Sequence, residues 1–137
     1  MSEDLDLVLA SSAENVPVVR QAVRGLLDAA EVEDQIAGDV LLAVTEACTN
    51  VVRHAYRDGS GPGEIEIMAS RDGHRLVIAV RDRGCGLTPR IDSPGLGLGL
   101  PVMAAVSDRM EVHEADGGGT LVTMEFALAA AADGARG

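Results

Sequence analysis

The sequence predicts an α+β fold, a two-layer sandwich in which a mostly antiparallel, mixed sheet is covered on one face by helices. The first observation is size, because 137 residues with 47% hydrophobic content suit one compact domain with its own core. The second is the order of the periodic segments, which runs strand, two helices, two strands, short helix and two strands. We therefore expect one domain over residues 1–127 and a flexible tail over 128–137.

The first half of the chain is predicted to form an edge strand and two helices. Apolar and polar residues alternate over residues 5–9, which indicates a strand with one wet face. Ser11 or Ser12 is placed to cap a helix over residues 16–30 that carries an apolar stripe. A second, longer helix is predicted over residues 34–57, because a dense cluster of glycine and proline follows it.

The second half of the chain is predicted to supply the rest of the sheet. Residues 64–69 alternate cleanly, and the apolar run over 76–80 predicts a central, buried strand. An irregular glycine-rich segment then leads to a short helix from residue 100, with a proline in its first turn, where the missing donor is not needed. Strands over 110–114 and 120–126 are predicted to close the domain as a hairpin.

Composition and charge exclude several classes of partner. A formal net charge of -11 opposes binding to a polyanion, and Tyr56 and Phe126 are the only aromatic residues available for base stacking. We therefore expect no nucleic-acid partner. The start of the chain is acidic and no apolar run approaches the ~20 residues of a membrane helix. These features predict a cytoplasmic protein that does not enter a membrane.

An acid, an amide and an imidazole follow one another at four-residue steps in the second predicted helix. These residues, Glu46, Asn50 and His54, should share one side of the helix, with Glu46 and Asn50 well away from the apolar stripe. A carboxylate can take a proton, and an amide oxygen can ligate a hard cation. The spacing therefore indicates a site for nucleotide-dependent phosphoryl transfer, in which His54 is equally open to a packing role.

Two glycine-containing segments could hold the nucleotide. Asp82 directly follows the buried strand, and Gly84 and Gly86 would let a flat ring lie close to the backbone beside its carboxylate. The adenine amino group is a donor that such a carboxylate accepts. Alone this motif is weak, because it also describes ordinary turns after strands.

The second segment contains Gly95, Gly97 and Gly99 immediately before the short helix. Unobstructed amides at a helix N-terminus favour anions such as phosphates. The spacing matches neither the dinucleotide fingerprint nor the P-loop, and a flexible hinge would explain these glycines nearly as well.

Together with Gly119-Thr120 in a late strand, these segments resemble the GHKL, or Bergerat-fold, ATP-binding superfamily. Within it, segments 46–50 and 54–56 are most similar to those of the bacterial anti-sigma-factor serine kinases. The resemblance extends to about Phe126.

The resemblance implies a role for each matching residue. Asn50 would ligate Mg²⁺ bridging the ATP phosphates, and Glu46 would act as general base on the attacking hydroxyl. Asp82 would bind the adenine amino group, and Thr120 would lie near the hydrogen bonds on the adenine side. The glycines divide between the adenine pocket and the lid over the phosphates: Gly84 and Gly86 in the pocket, and Gly95, Gly97 and Gly99 in the lid.

The resemblance implies a Mg²⁺-ATP-dependent serine/threonine kinase that phosphorylates an anti-anti-sigma (STAS-domain) protein and, when free, sequesters a sigma factor. It also implies a homodimer. The alternatives are a non-catalytic ATP-binding module that holds a protein partner, a histidine-kinase catalytic domain, and a structural domain without nucleotide. Glu46 favours the kinase, because a protein that only binds nucleotide needs no base there.

Four further side chains are interpreted as structural. Arg20 and Arg24 lie off the apolar stripe of the first helix and are expected on its solvated face. Cys48 and Cys85 have neither metal-ligand nor disulfide-framework spacing, so we expect two reduced, small side chains. Redox sensing stays open because both cysteines lie in motif segments.

Overall fold

The protein is described by a computed structural model over residues 4–55, 63–84 and 100–128. Its helices and strands agree in order with the sequence prediction. They are β1 (Leu5–Ala10), α1 (Val16–Ala29), α2 (Asp34–Asn50), β2 (Glu64–Asp72), β3 (Arg75–Asp82), α3 (Leu100–Val106), β4 (Arg109–Glu114) and β5 (Thr120–Ala127).

The strands form one sheet of five, in the order β1-β2-β3-β5-β4. Every neighbouring pair in this sheet is antiparallel. The two residues between β2 and β3 are Gly73 and His74, and Gly73 has φ +63°, which glycine adopts without steric cost. β3 is the central strand and β1 lies at an edge, so both of those predictions are confirmed.

The core lies between one face of the sheet and the helices. Alternate residues of the central strands are buried because successive side chains of a strand point to opposite faces. Phe126 is the one aromatic side chain of this core in the described ranges, and aliphatic residues and methionine fill the rest. The largest of them are Leu27, Ile67, Ile78, Met103 and Met124. The predicted two-layer α+β sandwich is thus confirmed.

The opposite face of the sheet has no helix over it in the parts of the chain that are described. Its central side chains are half-buried, and apolar residues alternate there with polar ones such as Arg81, Thr123 and Glu125. We call this surface the open face, and its apolar central residues are Met68, Val77, Ala79 and Leu121. Within the described ranges, none of the helices combines the length and apolarity that a membrane crossing requires.

The helix termini differ from the prediction. Neither Ser11 nor Ser12 caps α1, because a 3-10 turn precedes it and Asn15 takes the cap position. The Asn15 side chain instead donates from Nδ2 to the carbonyl of Ala10, at 2.8 Å. α2 ends earlier than residue 57, and the chain continues as a π-helical turn over Val51–Ala55.

The C-terminal boundary is described only in part. The backbone N–H of Leu128 donates to the carbonyl of His74 at 2.6 Å, so the chain stays with the sheet up to this residue. The predicted tail beyond it lies outside the described residues, and the division into a domain and a tail stays a prediction.

Candidate functional site

The predicted site residues fall into two groups. Five of them lie in the described parts of the chain: Glu46, Asn50, Asp82, Gly84 and Thr120. Four glycines lie outside the described residues: Gly86, Gly95, Gly97 and Gly99. The site can therefore be built from α2, the end of β3 and the start of β5.

Asp82 is the last residue of β3 and its side chain is only 2% exposed. Its Oδ1 accepts a hydrogen bond from the backbone N–H of Gly84 at 2.9 Å, and the backbone N–H of Thr120 also donates to the carboxylate. Burial raises the pKa of Asp82 more than these two bonds lower it. The result is a buried carboxyl group at the end of the central strand β3, which two backbone N–H groups hold in place and which can accept a hydrogen bond from one further donor.

The end of β3 and the start of β5 approach each other unusually closely at Gly119. Gly119 has φ +91°, and a Cβ there would lie 2.6 Å from the Cα of Arg83 and would meet the carbonyl oxygen of Asp82. Real Cβ atoms do not come so close to backbone atoms, so only glycine fits. This contact places the buried Thr120 beside Asp82.

Asn50 and Glu46 lie one turn apart in α2, in different surroundings. Glu46 is half-buried, whereas Asn50 is buried, with 5% of its surface exposed. The expectation that both point well away from the apolar stripe is wrong for Asn50. α2 packs against both α1 and α3, and it also contacts β3 and β5. An apolar stripe that is assigned only to contact with the sheet does not account for the residues that the neighbouring helices bury.

Arg20 joins α1 to α2 next to Glu46. Its Nη1 donates to Thr45 Oγ1, and that hydroxyl donates in turn to the carbonyl of Leu41 at 2.6 Å. Arg20 is half-buried, so its predicted place on a solvated face is wrong, whereas Arg24 is exposed as expected. The reason is the neighbouring helix, which offers Arg20 a hydroxyl partner that periodicity within α1 cannot reveal.

Two other motif residues are described in part. Cys48 is buried in the core, and desolvation raises the pKa of its thiol to about 12, so the reactive thiolate is strongly disfavoured. The backbone of His54 lies in the π-helical turn. Cys85 lies outside the described residues. No group of three or more His, Cys, Asp or Glu side chains suited to a metal occurs in the described ranges.

The order of these elements matches a known family. Residues 9–126 match the sequence profile of the family described as the histidine kinase-like ATPase domain. The chain belongs to this family. The resemblance to the GHKL superfamily is thereby confirmed, and the match covers all the described site residues of the ATPase domain.

Curated relatives align with the ATPase domain over most of their length. It is 30% identical over 131 residues to an anti-sigma F factor from Thermoanaerobacter sp. (strain X514), covering 88% of this chain and 90% of the relative. It is 27% identical over 136 residues to a serine-protein kinase RsbW from Bacillus thuringiensis (strain Al Hakam), covering 88% of this chain and 84% of the relative.

A solved structure shares the fold of the ATPase domain. The crystal structure of the RsbU and RsbW domains of a Mycobacterium tuberculosis protein matches it with a TM-score of 0.70 at 22% sequence identity. The match covers 90% of this chain and 32% of the solved chain. The ATPase domain thus spans about a third of that protein, and the likeness shows the fold.

Proposed function

We propose that the chain is a Mg²⁺-ATP-dependent serine/threonine protein kinase and anti-sigma factor, which phosphorylates a STAS-domain anti-anti-sigma protein and sequesters a sigma factor. The observation that carries the proposal is the pair on α2 of a histidine kinase-like ATPase domain: a half-buried Glu46 one turn before a buried Asn50. Relatives named anti-sigma F factor and serine-protein kinase support it.

The adenine end of the nucleotide is assigned to Asp82. Its carboxyl group is fixed by the N–H groups of Gly84 and Thr120, so it is already oriented before a ligand arrives. A fixed acceptor at the end of a buried strand is suited to accept a hydrogen bond from the exocyclic amine of adenine. Gly86 is assigned to the same pocket, and Gly95, Gly97 and Gly99 are assigned to the lid over the phosphates.

Asn50 is assigned to Mg²⁺. Its amide oxygen is a hard donor on a rigid helix, and Mg²⁺ in nucleotide sites takes few protein ligands because phosphate oxygens and waters complete its shell. The residues present therefore fit this ion. When bound, Mg²⁺ would neutralise charge on the phosphates of ATP.

Glu46 is assigned as the general base that orients the acceptor hydroxyl and takes its proton. A base must reach within about 2.6–3.2 Å of that hydroxyl, which requires an accessible carboxylate. Glu46 lies on the helix that carries Asn50 and is only half-buried, so its carboxylate can contact the hydroxyl of a protein substrate. Transfer itself depends mainly on positioning and charge neutralisation.

A phosphotransfer assay tests this assignment. The full chain is incubated with labelled Mg²⁺-ATP and each STAS-domain protein of the source organism, and serine or threonine labelling is expected on one of them. Glu46→Gln should remove the labelling while Mg²⁺-ATP still raises the Tm, and Glu33→Gln, an exposed glutamate just before α2, is the matched control. A Glu46→Gln variant that labels as well as the parent would exclude Glu46 as base.

The alternative is a non-catalytic module in which ATP binding sets the conformation that holds a protein partner. The buried Asn50 and Asp82 would serve such a module equally well, because both are assigned to binding. ATP-dependent capture of a sigma factor, with no transfer to any STAS-domain protein, would favour this function.

We further propose a cytoplasmic homodimer that uses the open face. Ala79 lies at its centre, opposite Met68 on one side and Thr123 on the other, and the half-buried surface around it mixes apolar and charged side chains, a composition that suits contact with a second copy. Sedimentation of the full chain should give the mass of a dimer, and Ala79→Arg should give a monomer that still binds Mg²⁺-ATP. A parent chain that sediments as a monomer would end this proposal.

A further inference from the structure

We propose that Gly38 and Leu42, on the same side of α2 as Glu46, form the docking point for the phosphoacceptor protein, which presents an aliphatic side chain there. This inference rests on the proposed function and concerns how the substrate is recognised. We call Gly38, Leu42 and Glu46 together the docking ridge.

Leu42 is the one large aliphatic side chain of α2 that the fold leaves exposed. The other large aliphatic residues in the middle of α2 are buried in the core, whereas Leu42 is 41% exposed. Single exposed aliphatic residues are common on protein surfaces, so exposure alone carries little. The position of Leu42 is what gives the exposure meaning.

Leu42 lies four residues before Glu46, and residues so spaced have Cβ atoms about 5–6 Å apart on a helix surface. An acceptor hydroxyl that Glu46 deprotonates must come within about 3 Å of its carboxylate. A residue close to this hydroxyl in the acceptor is therefore within reach of Leu42. This spacing places Leu42 in the proposed footprint of the substrate.

Gly38 lies four residues before Leu42 and provides the second observation. It is exposed in the interior of α2, where glycine is less favourable than alanine. No atom lies within 4 Å of the place where its Cβ would be, so packing within the described part of the fold does not require glycine. The missing side chain leaves open space on the outer surface one turn before Leu42, and we call this space the notch.

A notch next to an exposed leucine suits an aliphatic side chain of the partner. Such a side chain would fill the space over Gly38 and cover Leu42, removing apolar surface from water on both proteins. Burial of this apolar surface would stabilise the complex with the acceptor without altering the chemical step. The partner is thus expected to carry its acceptor serine or threonine close to an aliphatic residue.

Two variants test the docking ridge from opposite directions. Leu42→Asp removes the apolar contact, and Gly38→Leu fills the notch with a good helix former at a site with free space. Val18→Asp is the matched control, because Val18 is a comparably exposed aliphatic residue, at 44%, on the helix α1. Phosphotransfer by the full chain is measured with the STAS-domain protein that the parent labels.

Both ridge variants should raise the KM for the acceptor by about tenfold, change kcat by less than about twofold, and leave the Tm shift with Mg²⁺-ATP unchanged. The Tm of Gly38→Leu without nucleotide should not fall, which separates lost docking from lost folding. An unchanged KM in both variants, or an equal rise in Val18→Asp, would overturn the inference while the labelling by the parent leaves the kinase assignment standing. A parent that labels no STAS-domain protein would refute the kinase function and the docking ridge together.

Discussion

The close approach of β5 to β3 makes a strong prediction for Gly119→Ala, with Gly118→Ala as its matched control. Both glycines have positive φ, +91° at Gly119 and +104° at Gly118, so alanine is strained at either position. A Cβ at Gly118 would have no neighbour within 4 Å, whereas one at Gly119 would overlap the backbone of Asp82 and Arg83. The two variants therefore share the strain and differ in the clash.

The expected magnitudes follow from these contacts. Strain alone should cost Gly118→Ala about 1–3 kcal/mol in the free energy of unfolding. Gly119→Ala must also push the start of β5 away from β3, weakening the bond from the Ala115 N–H to the Gly119 carbonyl and the bond from Thr120 to Asp82. At about 1 kcal/mol for each bond, the total for Gly119→Ala is roughly 3–5 kcal/mol.

Urea unfolding followed by far-UV circular dichroism measures both variants, and thermal scans with and without Mg²⁺-ATP measure binding. Each kcal/mol should lower the Tm by about 4 °C in a domain of this size. Gly119→Ala should also lose most of the Tm shift with nucleotide, because Asp82 moves with the strand end, whereas Gly118→Ala should keep it. If the two variants lose equal stability, the close approach at Gly119 is not a constraint on the fold.

Three further predictions concern buried polar groups. Burial raises the pKa of Asp82, so the folded state binds its proton more tightly than the unfolded state, and stability should fall as pH rises from the ordinary value of 3.8 through the raised pKa. Asp82→Asn should flatten this part of the pH profile in urea unfolding and remove the Tm shift with Mg²⁺-ATP; an unchanged profile would contradict the assignment. Thr45→Val should cost about 1–2 kcal/mol, because the half-buried Arg20 loses its hydroxyl partner, and a urea midpoint equal to that of the parent would refute this. Cys48, with a pKa of about 12, should resist iodoacetamide at pH 8 in the native protein and react after unfolding; mass spectrometry reads this out, and fast labelling of the native chain would show that the thiol is accessible.

Most of the fold follows from periodicity. The alternation over residues 64–69 identifies β2, because a strand with one buried face needs an apolar residue at every second position. The apolar run over 76–80 identifies β3, in which one face is buried and the other is half-buried at the centre of the sheet. The start of α1 at residue 16 is as predicted, but the Ser11 and Ser12 prediction failed because a turn of 3-10 helix lies between these serines and α1, so that Asn15 takes the N-cap position without a side-chain capping bond. Local sequence does not reveal such an extra turn.

The candidate site could be predicted in its residue types and less well in its environment. The sequence singled out Asp82, Gly119 and Thr120 but did not predict that β3 and β5 are neighbours, which brings these residues together. The burial of Asn50 and the bond from Arg20 to Thr45 both depend on how α2 packs in the folded chain, where it contacts α1, α3 and the sheet. Helical periodicity describes one helix against one surface, so contacts on a second flank escape it.

The nearly aromatic-free core has a practical consequence for spectroscopy. The chain contains no tryptophan, and its aromatic residues are one phenylalanine, buried at Phe126, and one tyrosine. Because tyrosine and phenylalanine barely absorb at the long-wavelength edge of tryptophan absorption, the chain is almost non-fluorescent when excited there, and so is any complex with a partner that lacks tryptophan. A single indole introduced at the partly exposed Val102, in the first turns of α3, would be the sole emitter. Nucleotide binding, partner capture and turnover could then be followed in real time from one position without background.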